Sequence, residues 1–193
     1  ISGGLVGSEM CIRDRSLSNN GLSNAIPNEV NILTQLSTLD ISYNAIKDIP
    51  QLDSLELLQI LKYNNNRLTF EDIEIHIGLP QLIEHDYLNQ AKIGEEKTII
   101  LLKDSLHVFT VDVGGTNNEY KLFQEDSVVH NSNNPKDTIE NIAPIHEGIY
   151  RYEITNPLVP NLILETHEID VKVYDVDSLG GYIAPLQLII EFS

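Results

Sequence analysis

The sequence is short of the residues that staple or arm small domains: it holds one Cys, one Met and no Trp in 193 residues. A single thiol closes no bridge within the chain and builds no zinc site based on several thiolates. Basic residues are scarce too, with 12 Lys and Arg against 29 Asp and Glu and a formal net charge of −17. That balance excludes nucleic acid as a partner, because a phosphate backbone is bound by Lys and Arg displacing condensed counterions. No apolar run reaches the ~18 residues of a spanning helix, so no membrane span is expected in this fragment. What remains is the composition of a folded protein, 41% hydrophobic and 21% charged, long enough for one large or two small domains. The acidity is shared between the halves, with net −7 over residues 16–90 and −8 over 91–175. It is therefore no appendage aimed at one basic partner.

Residues 1–15 show no period that a helix or strand could use. The string from Leu5 to Asp14, LVGSEMCIRD, resembles the translated end of a transposase adapter used in short-read DNA library preparation. The resemblance implies a non-native artefact, to be left out of fold reasoning. Its removal takes away both Met10 and Cys11 and leaves the charge unchanged.

A repeat follows. Leu17-x-x-Asn20-x-Leu22 is matched by Leu36-x-x-Leu39-x-Ile41-x-x-Asn44-x-Ile46 and by Leu58-x-x-Leu61-x-Tyr63-x-x-Asn66-x-Leu68. The steps between the asparagines are 24 and 22 residues, inside the range of leucine-rich repeats. Residues 16–81 resemble that family, and the unit is taken to extend over 16–90. Leu39 and Ile41 alternate around Asp40, which puts two apolar side chains inward and one carboxylate outward on a short strand. The resemblance implies that Asn20, Asn44 and Asn66 are structural, their amides bonding the turn backbone from coil to coil. Ile26-Pro27 and Ile49-Pro50 fall on the return side, where a missing N–H does no harm. The outward strand positions form the candidate ligand-binding concave face: Ser37, Thr38, Asp40 and Ser42, then Gln59, Ile60, Lys62 and Asn64. The acids Glu71, Asp72 and Glu74 follow the last coil and are expected to cover its apolar end with charge.

After Leu82 the period changes to short β-branched and aromatic runs between turn clusters. Strands are expected over 98–102, 106–113, 119–124, 127–130, 138–142, 148–155 and 168–174, the count and spacing of a β-sandwich. Glu147-Gly148-Ile149-Tyr150-Arg151-Tyr152 resembles the immunoglobulin-like signature. The resemblance implies a tyrosine corner at Tyr150, with Tyr152 in place of the second Cys, Leu122 in place of the core Trp and Val111 at the first Cys position. Gly114-Gly115 reads as a hairpin turn, without the Lys and helix start of a phosphate loop. Asp175 and Asp177 lack the Gly and Glu of an EF-hand loop. The fold class expected is mainly β: a leucine-rich repeat solenoid fragment, then an immunoglobulin-like β-sandwich over 91–175, with 176–193 a tail or the start of another domain.

No Ser-His-Asp or Cys-His set, metal motif or paired catalytic carboxylates can be assembled, and the six histidines show no ligand spacing. The chain is therefore expected not to be an enzyme and to use no metal or cofactor. A solenoid joined to such a sandwich resembles modular surface proteins of the Bacteroidetes type. That resemblance implies an extracellular or cell-surface adhesion module recognising a protein or glycan; the alternative is an accessory or sensing region of a larger surface enzyme or signalling receptor.

Overall fold

A computed structural model describes residues 13–176, and they are mainly β. The first part is built of short strands: β1 (Asp14–Ser16), β2 (Ser23–Ala25), β3 (Thr38–Asp40), β4 (Ala45–Asp48), β5 (Ile60–Lys62) and, after the single-turn helix α1 (Phe70–Glu74), β6 (Glu84–Asp86). β1, β3, β5 and β6 make one parallel sheet in that order, and β2 pairs in parallel with β4. The register sets Arg15, Leu39, Leu61 and His85 in one inward row. Leu39 and Leu61 are buried, as are Leu36, Ile41, Ile46, Leu58 and Leu68 around them. Each contributes roughly 1.5–3 kcal/mol by leaving water, and the core runs continuously along the stack of coils.

Each coil turns in the same way. The residue just before the asparagine of each coil adopts a left-handed backbone: Asn19 (φ 57°), Tyr43 (φ 54°) and Asn65 (φ 55°), with Asn89 (φ 57°) doing the same once more. Asn tolerates this region because its side chain bonds locally; Tyr43 carries the cost without that help. The fourth turn lies beyond residues 16–81, where the sequence pattern is read, and inside the 16–90 taken for the unit. A further coil follows, and its disguise is chemical: His85 stands in the row of Leu39 and Leu61, and Gln90 follows Asn89 where Asn44 and Asn66 follow Tyr43 and Asn65. At the other end, the boundary expected after Arg15 falls inside β1. Arg15 occupies an inward position, and its Nε is buried without a hydrogen-bond partner.

The second part comprises β7 (Lys97–Leu102), β8 (His107–Thr110), β9 (Glu119–Gln124), β10 (Ser127–Ser132), β11 (Lys136–Ile139), β12 (Gly148–Thr155), β13 (Ile163–Glu165) and β14 (Ile169–Tyr174). One sheet has the order β10-β9-β12-β14-β7, with β13 also on β12; the other is the pair β11-β8. Their facing side chains, among them Phe109, Val111, Leu122, Tyr150, Tyr152 and Val171, form the core. Tyr150 stacks on Phe109 at 4.8 Å. β9 and β12 have the expected bounds, whereas β8 is shorter than 106–113 and β11 begins two residues and ends three residues earlier than expected. β13 went unforeseen because it is only three residues long and follows closely on Pro157 and Pro160. Gly114-Gly115 is no hairpin: β8 and β9 belong to different sheets, so the turn crosses between them. The hairpin is at Glu125 (φ 53°), between β9 and β10. The expectations for Asp177 and for the tail from Ser178 fall outside the described residues.

Candidate binding face

On the outward side of the parallel sheet the register aligns two rows. One runs Asp14, Thr38, Ile60, Glu84 and the next Ser16, Asp40, Lys62, Asp86. Successive members of a row sit one strand spacing apart, about 4.8 Å. Of the residues expected on this face, Thr38, Asp40, Ile60 and Lys62 are brought together and partly open to solvent. Ser37 and Gln59 precede their strands; the Ser37 hydroxyl donates to Asp14 Oδ1 at 3.0 Å, and Gln59 N–H donates to the Ser37 carbonyl at 2.8 Å. Ser42 and Asn64 correct the expectation, since both are buried. They lie past the ends of β3 and β5, and the Ser42 hydroxyl is engaged by Ser18 and Asp40.

Asp40 is held still. Its Oδ1 accepts the Ser42 hydroxyl at 2.6 Å and the Ser42 N–H at 3.0 Å. Lys62 Nζ lies 2.7 Å from Glu84 Oε1. The hydrogen bond and charge of Glu84, with smaller help from Asp40 and Asp86, hold the ammonium above its ordinary pKa. Asp14, Glu84 and Asp86 were not foreseen here; reading a fourth coil at the same 24-residue step would have found the last two. The assembled face carries four carboxylates and one ammonium in two rows. It offers fixed acceptors to basic groups or to hydroxyls and has no aromatic platform.

Behind the face, the ladder side chains hold the coils together. Asn44 Oδ1 accepts the N–H groups of Asn20 and Leu22 at 3.0 Å each, while its Nδ2 donates to the carbonyls of Leu17 and Ile41 at 2.9 Å. Asn66 repeats this with the Ile46 N–H and the carbonyls of Ile41 and Tyr63, all at 3.0 Å. Gln90 extends it, accepting Leu68 N–H at 3.1 Å and donating to Tyr63 and Tyr87 carbonyls at 3.2 and 2.8 Å. Asn20, in the first coil, is exposed, and its Nδ2 bonds only the Ser18 carbonyl.

The last coils also enclose polar rings. Tyr63 hydroxyl and His85 Nε2 are 2.6 Å apart, and His76 Nε2 lies 3.0 Å from the Pro50 carbonyl. Burial, with a smaller contribution from His76, lowers the His85 pKa to about 4; burial lowers His76 as well. In the sandwich, the Tyr150 hydroxyl donates to the His146 carbonyl at 3.1 Å. Tyr152 donates to Asp137 Oδ2 at 2.7 Å, and the other oxygen of this buried carboxylate meets His130 Nδ1. Burial raises the Tyr152 pKa. Among the described residues, no set of three or more His, Cys, Asp or Glu is placed to hold a metal ion. No helix there is long and apolar enough to cross a membrane.

Of the acids after the third coil, Glu71 is exposed, while Asp72 is buried and Glu74 half-buried. Asp72 caps α1 by accepting the Thr69 N–H at 2.8 Å. Glu74 reaches the sandwich, accepting Thr116 N–H at 2.7 Å, Thr116 hydroxyl at 2.9 Å and Asn156 Nδ2 at 2.5 Å. Gly115 (φ 112°) passes so close that a Cβ there would sit 2.6 Å from that of Phe70. The two parts therefore meet through close packing and paired polar groups.

No protein-family profile matches the chain. It is 38% identical over 113 residues to the adenylate cyclase of Schizosaccharomyces pombe, a match that covers 49% of this chain and 7% of that protein. This corrects the expectation that the chain is not an enzyme: the relative is named for a catalytic activity, and this chain spans 7% of it. Solved structures with partial likeness include immunoglobulin domains 1–5 of Sidekick-1, at 21% identity and a TM-score of 0.36 over 43% of this chain and 17% of that one. Another holds CBM51-2 in complex with GlcNAc and INT domains from Clostridium perfringens ZmpB, at 12% identity and a TM-score of 0.41 over 84% and 30% of the two chains. A third is InlP of Listeria monocytogenes, at 14% identity and a TM-score of 0.29 over 84% and 66%.

Proposed function

We propose that this chain is the recognition region of a larger extracellular or cell-surface protein. Its coils are leucine-rich repeats, its sandwich is immunoglobulin-like, and a protein or glycan ligand docks on the outward sheet face. The observation that carries this reading is the pair of in-register rows through Thr38–Ile60 and Asp40–Lys62. Short parallel strands backed by an asparagine ladder present side chains at fixed spacing, so a ligand meets them without an ordering cost. The preponderance of carboxylates favours a ligand surface that carries basic groups, since complementary charge steers encounter.

A second form of the reading places the same face in an accessory or sensing region of a larger surface enzyme or signalling receptor. It is supported by the shared sequence with the adenylate cyclase, of which this chain spans 7%. In either form the contacts fall on the same residues.

The test is a screen of glycan arrays and surface-protein libraries with the full chain and with an Asp40→Ala, Lys62→Ala variant. A ligand retained by the parent and lost by the variant supports the face. Equal binding by both sinks it.

A further inference from the structure

Where the coils meet the sandwich, a groove of about 770 Å³ gathers Lys47, Arg67 and Lys92 with His167 and the Thr69 side chain. In a chain with 29 acidic and 12 basic groups, three cations lining one groove are a departure from the general field. Lys47 and Arg67 have no ion-pair partner among the described residues, and Lys92 has only a loose one, 3.5 Å from Glu165. The acids of the groove, Glu95 and Asp112, come from the connector and the sandwich, and neither reaches ion-pair distance of Lys47 or Arg67. Like charges gathered with fewer counter-charges than cations repel one another, and an anion that fills the space between them relieves that repulsion.

The groove is also held open in advance. The Ala91 N–H donates to the Asn66 carbonyl at 2.7 Å, the Ile93 N–H to Glu165 at 2.8 Å and the His167 N–H to Ile93 at 2.9 Å. These bonds tie the connector to the third coil on one side and to β13 and its exit on the other. No Phe, Tyr or Trp lines it, so it lacks the stacking surface that a nucleobase or neutral sugar ring uses. Its volume lies in the range of small-molecule sites.

We propose that this groove binds a small polyanion, with Lys47 and Arg67 from the coils and Lys92 from the connector each meeting an oxyanion and His167 donating from the sandwich wall. Arg67 offers a fork matched to carboxylate or phosphate oxygens, while Lys47 and Lys92 act as point charges. The site shares no residue with the outward sheet face, so either can fail without the other.

The test is calorimetric titration of the full chain at low ionic strength with pyrophosphate and with citrate, which separate a phosphate ligand from a carboxylate one. One-to-one binding of either probe is expected, weakened at least tenfold in the Lys47→Gln, Arg67→Gln variant and within twofold of the parent in a Lys121→Gln, Lys136→Gln control that loses the same charge elsewhere. Tighter citrate assigns a polycarboxylate; tighter pyrophosphate assigns a phosphorylated ligand. Binding of neither probe, or equal weakening in both variants, overturns the proposal.

Discussion

Replacing Asn66 by alanine removes an amide that is 1% exposed and bonds four backbone groups on two coils, the Asn64 carbonyl at a long 3.4 Å. The carbonyls of Ile41 and Tyr63 keep a second donor, from Asn44 and Gln90 respectively. The Ile46 N–H keeps nothing, because it points into a core that water does not reach. An orphaned buried donor and two lost hydrogen bonds together cost about 3 kcal/mol. Asn44→Ala, at a half-buried site, is expected to cost about 2 kcal/mol, and Asn20→Ala, exposed, below about 0.5 kcal/mol. Asn66→Asp is the informative companion, since it retains the acceptor for Ile46 but cannot donate to the two carbonyls, so it should destabilise about as much as alanine. Equilibrium unfolding of the full chain in urea measures all four. An Asn66→Ala loss no larger than that of Asn20→Ala would refute the ladder as the element joining the coils.

Two further outcomes follow from the same structure. The neutral form of His85 is favoured in the folded state, so the unfolded chain takes up the proton first as pH falls below about 6.5. Stability should drop between there and about 4, by about 2 kcal/mol after allowance for solvent around the ring, and His85→Leu should flatten this slope in urea titrations run at several pH values; an unchanged slope contradicts the buried-ring account. Glu74→Ala strips the acceptor from Thr116 and Asn156 and should cost about 2 kcal/mol. Calorimetry should show one unfolding transition becoming two, and a single unshifted transition would mean that Glu74 does not couple the parts.

Much of the first part is legible along the chain because its rules are local. Leu-x-x-Leu-x-Ile followed by Asn names the inward positions and the turn, and the 24- and 22-residue steps place one coil beside the next. The fourth coil escaped because His85 and Gln90 satisfy those positions with different chemistry; only the pairing of His85 with Leu61 and the bond from Gln90 to the Tyr63 carbonyl show their equivalence. Ser42 and Asn64 looked outward by strand parity, which says nothing about a chain that has already begun to turn. In the sandwich, β9 and β12 alternate cleanly and kept their expected bounds, while the edges of β8 and β11 depend on pairing across the sheet.

What the sequence determined by itself is the inward row, the turn asparagines, the charge and the β character of both halves, all set by spacing within a few residues. What only the tertiary structure decided is which distant groups share a surface: Glu74 with Thr116, Lys47 with His167, Tyr152 with Asp137. Those juxtapositions come from coil stacking and sheet closure, which bring together residues whose separation along the chain carries no periodic signal.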